Sequence, residues 1–171
     1  IISKCDDHLI ALFFTGRNHA GENLQEVLEK RSKALAAPIH MCDALSRNLP
    51  KAFETILANC LSHSRRQFVD VVESFPEEVR YVLEIFAKVY KNDAIARQEN
   101  MSPEVRLIFH QQESGPLMEE LHQWLERQFE QKKVEPNSSL GEAITYMLKH
   151  WQPLTLFLRQ LFQLRVVHHT S

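Results

Sequence analysis

The chain has 171 residues, of which 25% are charged, and its net charge is −2 at pH 7 with histidine neutral. This length is enough to bury the core of one domain, or of one domain with an insertion. The near-neutral charge excludes a strongly basic protein that coats nucleic acid, so any DNA-binding surface has to be local.

The first third of the chain is predicted to contain three strands and one helix. The apolar run HLIALFF at 8–14 is typical of a strand buried on both faces. Leucine and valine recur at helical spacing in 18–35, which predicts a helix that Pro38 ends. The runs IHMC at 39–42 and TILANCL at 55–61 predict two more strands. This order indicates part of an α/β sheet.

From Ser64 onward the pattern changes from strands to amphipathic helices. Proline followed by acidic residues favours a first helical turn and predicts helix starts at Pro76 and Pro103. An apolar stripe over 117–129 predicts another helix. A last helix is predicted to start at Ser139, which forms a capping box with the glutamate three residues on. The second part is therefore predicted to be a helical bundle.

Cysteine usage and hydropathy bear on the compartment. Three cysteines, an odd number without an apparent secretory leader, are typical of a reducing environment, so we expect a cytoplasmic protein. The longest apolar run, LIALFF, is too short to span a bilayer, and no membrane partner is expected. The chain begins with Ile-Ile-Ser instead of Met, which indicates a fragment or a trimmed chain.

Asp43 is the first candidate site residue because it ends the predicted strand IHMC. In α/β folds, ligands bind outside the carboxyl ends of strands. Four cations, Arg47, Lys51, Arg65 and Arg66, would lie near Asp43 if the strands pair. An acidic metal ligand among cations suits Mg²⁺-assisted cleavage of a phosphodiester. From position alone, however, an ordinary turn or N-cap aspartate is the favoured interpretation.

Two Cys-x-x-His pairs offer a different site. Cys5 with His8, and Cys60 with His63, could together supply the two sulfurs and two imidazoles of a structural zinc site. Both pairs border predicted strands, where cysteine is often simply buried, and burial is the favoured interpretation.

A further alternative is that Cys42 acts as a nucleophile with His40 as its general base. The two residues share one face of the predicted strand, but the pair lacks a third group that would orient it. This alternative is weaker than the zinc site.

The aromatic residues of the helical part fall mostly on apolar stripes, so a role in the core is favoured over stacking on nucleic-acid bases.

Five long stretches, taken in chain order, carry a resemblance to a known family. They are IALFFTGRNHAGENL, IHMCDALSRNLPK, ILANCLSHSRRQFVDVVESFPEEVRYVLE, NDAIARQENMSPEVRLIFHQQESGPLMEELHQWLERQF and NSSLGEAITYMLKHWQPLTLFL. Together they resemble the transposase of the insertion sequence sixty-six family of bacterial mobile elements. The resemblance extends from about residue 1 to 158 and is much more specific than any of the short motifs.

The resemblance implies an acidic-triad (DDE) transposase with a ribonuclease H-like catalytic fold. The implied fold class is α/β, a partial ribonuclease H-like mixed sheet followed by an all-helical insertion domain, helix-dominated overall. Residues 1–63 would be the partial catalytic core, and residues 64–171 the helical insertion with a divergent C-terminal tail. Asp43 would be the second acid of the triad.

The resemblance also implies the chemistry and the partners. The intact enzyme would hold two Mg²⁺ or Mn²⁺ ions between its carboxylates, one of them Asp43, cut transposon ends and join them to target DNA. Self-association is left open as a further interaction. The arginines that the resemblance offers for phosphate contact are Arg17, Arg47, Arg65 and Arg66.

Two departures from the family pattern limit these expectations. The first acid should lie on a strand before Ile1, and the last should fall in an "NN..ER" type segment after LTLFL; Asp6 and Asp7 are poor substitutes. We therefore expect a transposase fragment, truncated at both ends, that binds no metal and is inactive alone. The alternative is a DNA- or protein-binding module left from a decayed mobile element.

Overall fold

A computed structural model describes residues 1–5, 8–15, 17–32, 34–43 and 46–160, with the backbone alone at 2–5, 8, 9 and 46. The chain divides into two compact units, a first unit of residues 1–57 and a second unit of residues 58–171. Within the described ranges, no helix has both the length and the hydrophobicity that a membrane crossing requires.

The first unit begins with an antiparallel hairpin of β1 (Ile2–Cys5) and β2 (His8–Ala11), in which Cys5 lies opposite His8. The prediction of a strand over 8–14 buried on both faces is wrong. The strand ends at Ala11, and Phe13 is 91% exposed. A continuous apolar run is typical of a strand covered on both faces, whereas β2 belongs to a two-stranded sheet.

The helix that follows is shorter than its sequence pattern predicts. Helix α1 (Ala20–Glu29) starts after His19, whose backbone N–H donates to Glu22 Oε2 at 2.8 Å. Beyond the helix, Ser32 Oγ accepts a hydrogen bond from the N–H of Ala34 at 3.3 Å. Such local bonds compete with helical ones, so the predicted extension to residue 35 and its termination by Pro38 are wrong.

Two short strands complete the regular structure of this part. Strand β3 (Ile39–Cys42) lies where the sequence predicts it, and a 3₁₀ turn (Ser46–Asn48) follows. Strand β4 (Ile56–Asn59) pairs with β3 in a second, parallel two-stranded sheet. The predicted strand over 55–61 is two residues too long at its carboxyl end, because a helix begins at Leu61. The ribonuclease H-like mixed sheet stays a prediction.

Helices make up the second unit, and the prediction of a helix-dominated fold is confirmed. They are α2 (Leu61–Val69), α3 (Pro76–Gln98), α4 (Pro103–Glu113), α5 (Gly115–Glu130), α6 (Ser139–Lys149) and α7 (Trp151–Leu154). The two proline starts are as predicted. The last long helix is capped one residue earlier than predicted, since Ser138 Oγ accepts from the N–H of Gly141 at 3.1 Å.

The core of the second unit takes large apolar side chains from α2, α3, α5 and α6. Phe68, Phe86, Leu121 and Ile144 are completely buried. Burying a side chain of this size stabilises the fold by about 1.5–3 kcal/mol. The aromatic residue Phe86 thus belongs to the core, as its position on an apolar stripe predicts.

A polar cluster is buried between α3 and α4. The carboxylate of Asp93 is 1% exposed and pairs with Arg106, whose side chain is 5% exposed, at 3.2 Å, and with Arg97 at 2.9 Å. His110 lies in the same cluster: its Nε2 is 3.7 Å from Asp93 Oδ1, and its Nδ1 is 3.0 Å from Ser114 Oγ. These contacts fix the register of the two helices.

The first turn of α6 lies against the preceding loop. Gly141 is buried, and a Cβ added to it would collide with the carbonyl oxygen of Glu135 and lie 2.7 Å from that of Pro136. Only glycine permits this close approach of two backbone segments.

Candidate functional site

Asp43 directly follows β3 and is half-buried. Its Oδ1 accepts a hydrogen bond from Nδ2 of Asn48, the last residue of the 3₁₀ turn. The bond holds the carboxylate in place at the end of the strand. Such a bond is typical of a turn aspartate, and it would equally pre-position a catalytic carboxylate.

The neighbouring thiol is a poor nucleophile. Burial raises the pKa of Cys42 to about 11, and the negative charge of Asp43 adds to this rise. Burial also lowers the pKa of His40. Because the thiolate is the reactive form, the raised pKa argues against the nucleophile-and-base alternative.

The Cys42 thiol therefore reports on the charge of Asp43. Replacing Asp43 by asparagine should lower the pKa of Cys42, since one of the two causes of the rise is removed. Because alkylation proceeds through the thiolate, a lower pKa of Cys42 should make its alkylation at pH 8 faster. The measurement is the rate of iodoacetamide labelling of the Cys42 peptide by mass spectrometry. Glu29→Gln, which removes an exposed carboxylate from α1, is the control, and equal rates in both variants would contradict the prediction.

The predicted phosphate-binding arginines are all exposed. Arg17 and Arg47 belong to the first unit, and Arg47 lies in the 3₁₀ turn next to Asn48. Arg65 and Arg66 lie on α2 in the second unit. None of the four forms an ion pair or a side-chain hydrogen bond with any residue that the structure describes. A common site of Asp43 with Arg65 and Arg66 stays a prediction.

A cavity of about 410 Å³ lies between α1 and the segment that contains the 3₁₀ turn. One wall carries Arg47 and Lys51. The other wall, from the start of α1, carries amides and carboxylates. These are Asn18, Glu22, Gln25 and Glu26.

Two residues shape this region although the sequence predicts no role for them. Asn48 holds Asp43, and buried Gly21 lets α1 approach the backbone carbonyls of Arg47 and Leu49. The signal for Gly21 is glycine within a helical pattern, which costs about 1 kcal/mol relative to alanine and indicates a close approach. Asn48 has no such local signal.

The structure describes only part of the predicted zinc site. Cys60 is buried at the N-cap of α2, and Nδ1 of His63 is buried without a hydrogen bond. The side chains of Cys5 and His8 lie outside the described part of the structure. In the part that it covers, no three His, Cys, Asp or Glu side chains form a group that could hold a metal ion. Zinc binding by these four residues stays a prediction.

The described residues do not fit the two-ion site of an acidic-triad enzyme. Such ions take several oxygen ligands each, and Asp43 provides a single carboxylate. Asp6 and Asp7 lie outside the described residues, as does the tail from 161 to 171. Among the described residues, Asp43 alone does not hold such a pair of ions.

Comparison with known proteins identifies the family. The family model described as "Transposase IS66 family" matches residues 2–162. The uncharacterized protein y4hP of Sinorhizobium fredii is 28% identical over 161 residues, which cover 87% of this chain and 29% of that relative. The uncharacterized protein y4jD of the same organism is 38% identical over 105 residues, 60% of this chain and 19% of that relative.

The chain thus spans less than a third of the length of these curated relatives. No solved structure matches it. The family model, in contrast, extends over nearly the whole chain, from residue 2 in the hairpin to residue 162. The protein therefore belongs to the IS66 family of transposases.

Proposed function

We propose that this chain is part of a DNA transposase whose intact form cuts element ends and joins them to target DNA, and that the chain is inactive alone. The observation that carries the proposal is the position of Asp43, a fixed carboxylate at the end of β3 in a member of a transposase family. In this proposal residues 1–63 are part of a ribonuclease H-like catalytic core, and residues 64–171 are a helical insertion.

The surface of the first unit supports a role within a longer chain. Apolar side chains of the hairpin region, Ile10, Leu12, Phe13 and Phe14, are 38–91% exposed. A two-stranded hairpin is marginally stable in water by itself, and further strands or a helix usually cover its apolar residues. In a ribonuclease H-like core, additional strands would do so.

The proposed role of each residue follows from its charge. Asp43 would contribute one carboxylate to a site for Mg²⁺ or Mn²⁺, ions that activate the attacking oxygen and stabilise the leaving oxygen in phosphodiester chemistry. Arg17, Arg47, Arg65 and Arg66 would neutralise phosphates and position the DNA without reading its sequence. With one carboxylate in place, the chain is proposed to bind DNA and not to cut it.

The second candidate function is that of a DNA-binding module, which would likewise bind DNA without cutting it. The observation that favours it is the lack of ion-pair partners for Arg65 and Arg66 in the part of the chain that is described, which leaves both guanidinium groups free for phosphates. A transposase fragment and a decayed binding module share this property. They differ in whether Asp43 has a role in an intact enzyme.

The DNA-binding proposal predicts that the double variant Arg65→Ala, Arg66→Ala binds duplex DNA less tightly than the unchanged chain. Each lost phosphate contact should reduce the slope of log K against log salt by about 0.9. Fluorescence anisotropy of a labelled duplex, measured over a range of salt concentrations, gives both quantities. Arg80→Ala removes an exposed arginine that already pairs with Glu77 and is the matched control. Absence of binding by the unchanged chain at low salt would contradict the proposal.

The inactivity of the chain is tested separately. A labelled duplex incubated with the chain and Mg²⁺ or Mn²⁺ is expected to remain uncut. Cleavage that disappears in Asp43→Asn would show that the chain is a complete enzyme and would contradict its proposed inactivity.

A further inference from the structure

We propose that the cavity between α1 and the 3₁₀ turn binds one nucleotide of a DNA strand. This inference rests on the proposed function and names a binding site within it. The volume of about 410 Å³ lies within the roughly 300–1,000 Å³ of small-molecule pockets, and both walls belong to the first unit. The proposal depends on the charges of the walls, their hydrogen-bonding groups and the way they are held.

The cationic wall is available to a phosphate. Arg47 and Lys51 are exposed, and neither side chain has an ion pair or a hydrogen bond with a residue in the described ranges. The two acids opposite them are already engaged at one oxygen each. Glu22 Oε2 accepts from the His19 N–H at 2.8 Å, and Glu26 Oε1 accepts from Asn18 Nδ2 at 3.3 Å. Two cations at one wall, neither in an ion pair with a residue that the structure describes, suit a phosphate group.

The wall of the cavity that α1 forms has groups that suit a nucleobase. Gln25 offers an amide, and Glu22 and Glu26 each carry a second carboxylate oxygen. Amides pair with base edges that present both a donor and an acceptor, and carboxylates accept from exocyclic amino groups. A ligand with phosphate at one end and a base at the other therefore matches both walls, whereas free inorganic phosphate matches one.

The cavity is held open by backbone packing. Gly21 lies so close to the carbonyl oxygens of Leu49 and Arg47 that an added Cβ would be 2.8 Å from the latter. This contact fixes the spacing of the walls. The turn that carries Arg47 also ends in Asn48, which donates to Asp43. A nucleotide in the cavity is thus held by the segment that positions the candidate carboxylate.

The test is an NMR titration of the full chain with four probes. These are a deoxynucleoside 5′-monophosphate, the deoxynucleoside without phosphate, inorganic phosphate and a single-stranded tetranucleotide. We expect saturable shifts of the backbone amides of 18–26, 47–49 and 51, with the monophosphate bound at least fivefold more tightly than inorganic phosphate. The tetranucleotide should shift the same amides.

Three variants sharpen the test. Lys51→Ala should weaken monophosphate binding by roughly tenfold, the effect of losing a hydrogen bond to a charged group. Gln25→Trp fills the cavity without changing its charge and should abolish binding of the monophosphate. Lys88→Ala, which removes an exposed lysine of α3, is the matched control and should bind normally.

Each contrary outcome has a definite meaning. Equal affinity for monophosphate and inorganic phosphate, unchanged in Gln25→Trp, would show a nonspecific anion site and overturn the inference. Binding of the monophosphate without the tetranucleotide would indicate a free nucleotide as the ligand and would also overturn it. If duplex DNA binds with the expected salt dependence while these amides do not shift, the inference fails and the proposed function stands. If duplex DNA does not bind at all, the proposed function fails.

Discussion

Replacing Asp93 by alanine is expected to lower the free energy of unfolding by about 3–5 kcal/mol. The substitution leaves the guanidinium group of Arg106 buried between α3 and α4 without its carboxylate partner at 3.2 Å. A buried charge that loses its partner keeps the full cost of its removal from water. Urea denaturation of the full chain, followed by circular dichroism at 222 nm, measures the loss.

Two further variants separate this effect from the loss of an ordinary ion pair. Glu84→Ala breaks an exposed pair with Arg80 and should change stability by no more than about 0.5 kcal/mol. The double variant Asp93→Leu, Arg106→Met removes both charges and should regain most of the stability that Asp93→Ala loses. If Asp93→Ala were as mild as Glu84→Ala, the buried cluster would have no role in stability.

Gly141→Ala is expected to destabilise the second unit by about 1–3 kcal/mol, the usual cost of overpacking. Alanine normally stabilises a helix relative to glycine, so the predicted sign is the reverse of the helix propensity. The reason is the collision of the new methyl group with the carbonyl of Glu135, a backbone atom that cannot rotate away. The midpoint of urea denaturation measures the change.

Gly115→Ala is the matched control for this prediction. It also lies in the first turn of a helix, but the nearest atom to an added Cβ is the carbonyl oxygen of His110 at an ordinary 3.8 Å. This variant should be neutral or more stable by up to about 1 kcal/mol. A similar loss of stability in both glycine variants would refute the steric explanation.

The parts of the fold that depend on local chemistry are predictable from the sequence. Pro76 and Pro103 begin helices as predicted, because proline and nearby acids act within one turn. The error over 8–14 has a different origin: an apolar run has the same composition whether or not other strands cover it. Asp93 interrupts an apolar stripe, yet its pairing with Arg106 depends on how two helices pack and has no signal in a local pattern.

The candidate site is predictable to a similar extent. Asp43 lies at the end of β3 as the sequence indicates, and the family is confirmed. The role of Asp43 in a triad stays a prediction. Asn48 and Gly21 are not predicted, since one acts through a hydrogen bond across a turn and the other through the approach of α1 to a distant backbone segment.

The two adjacent arginines of α2 constrain the direction of any DNA strand that meets them. Consecutive residues of an α-helix point about 100° apart around the axis, because one turn takes about 3.6 residues. Arg65 and Arg66 are both exposed, so their guanidinium groups leave the helix on different sides. A strand that contacted both through successive phosphates would run across the helix instead of along it.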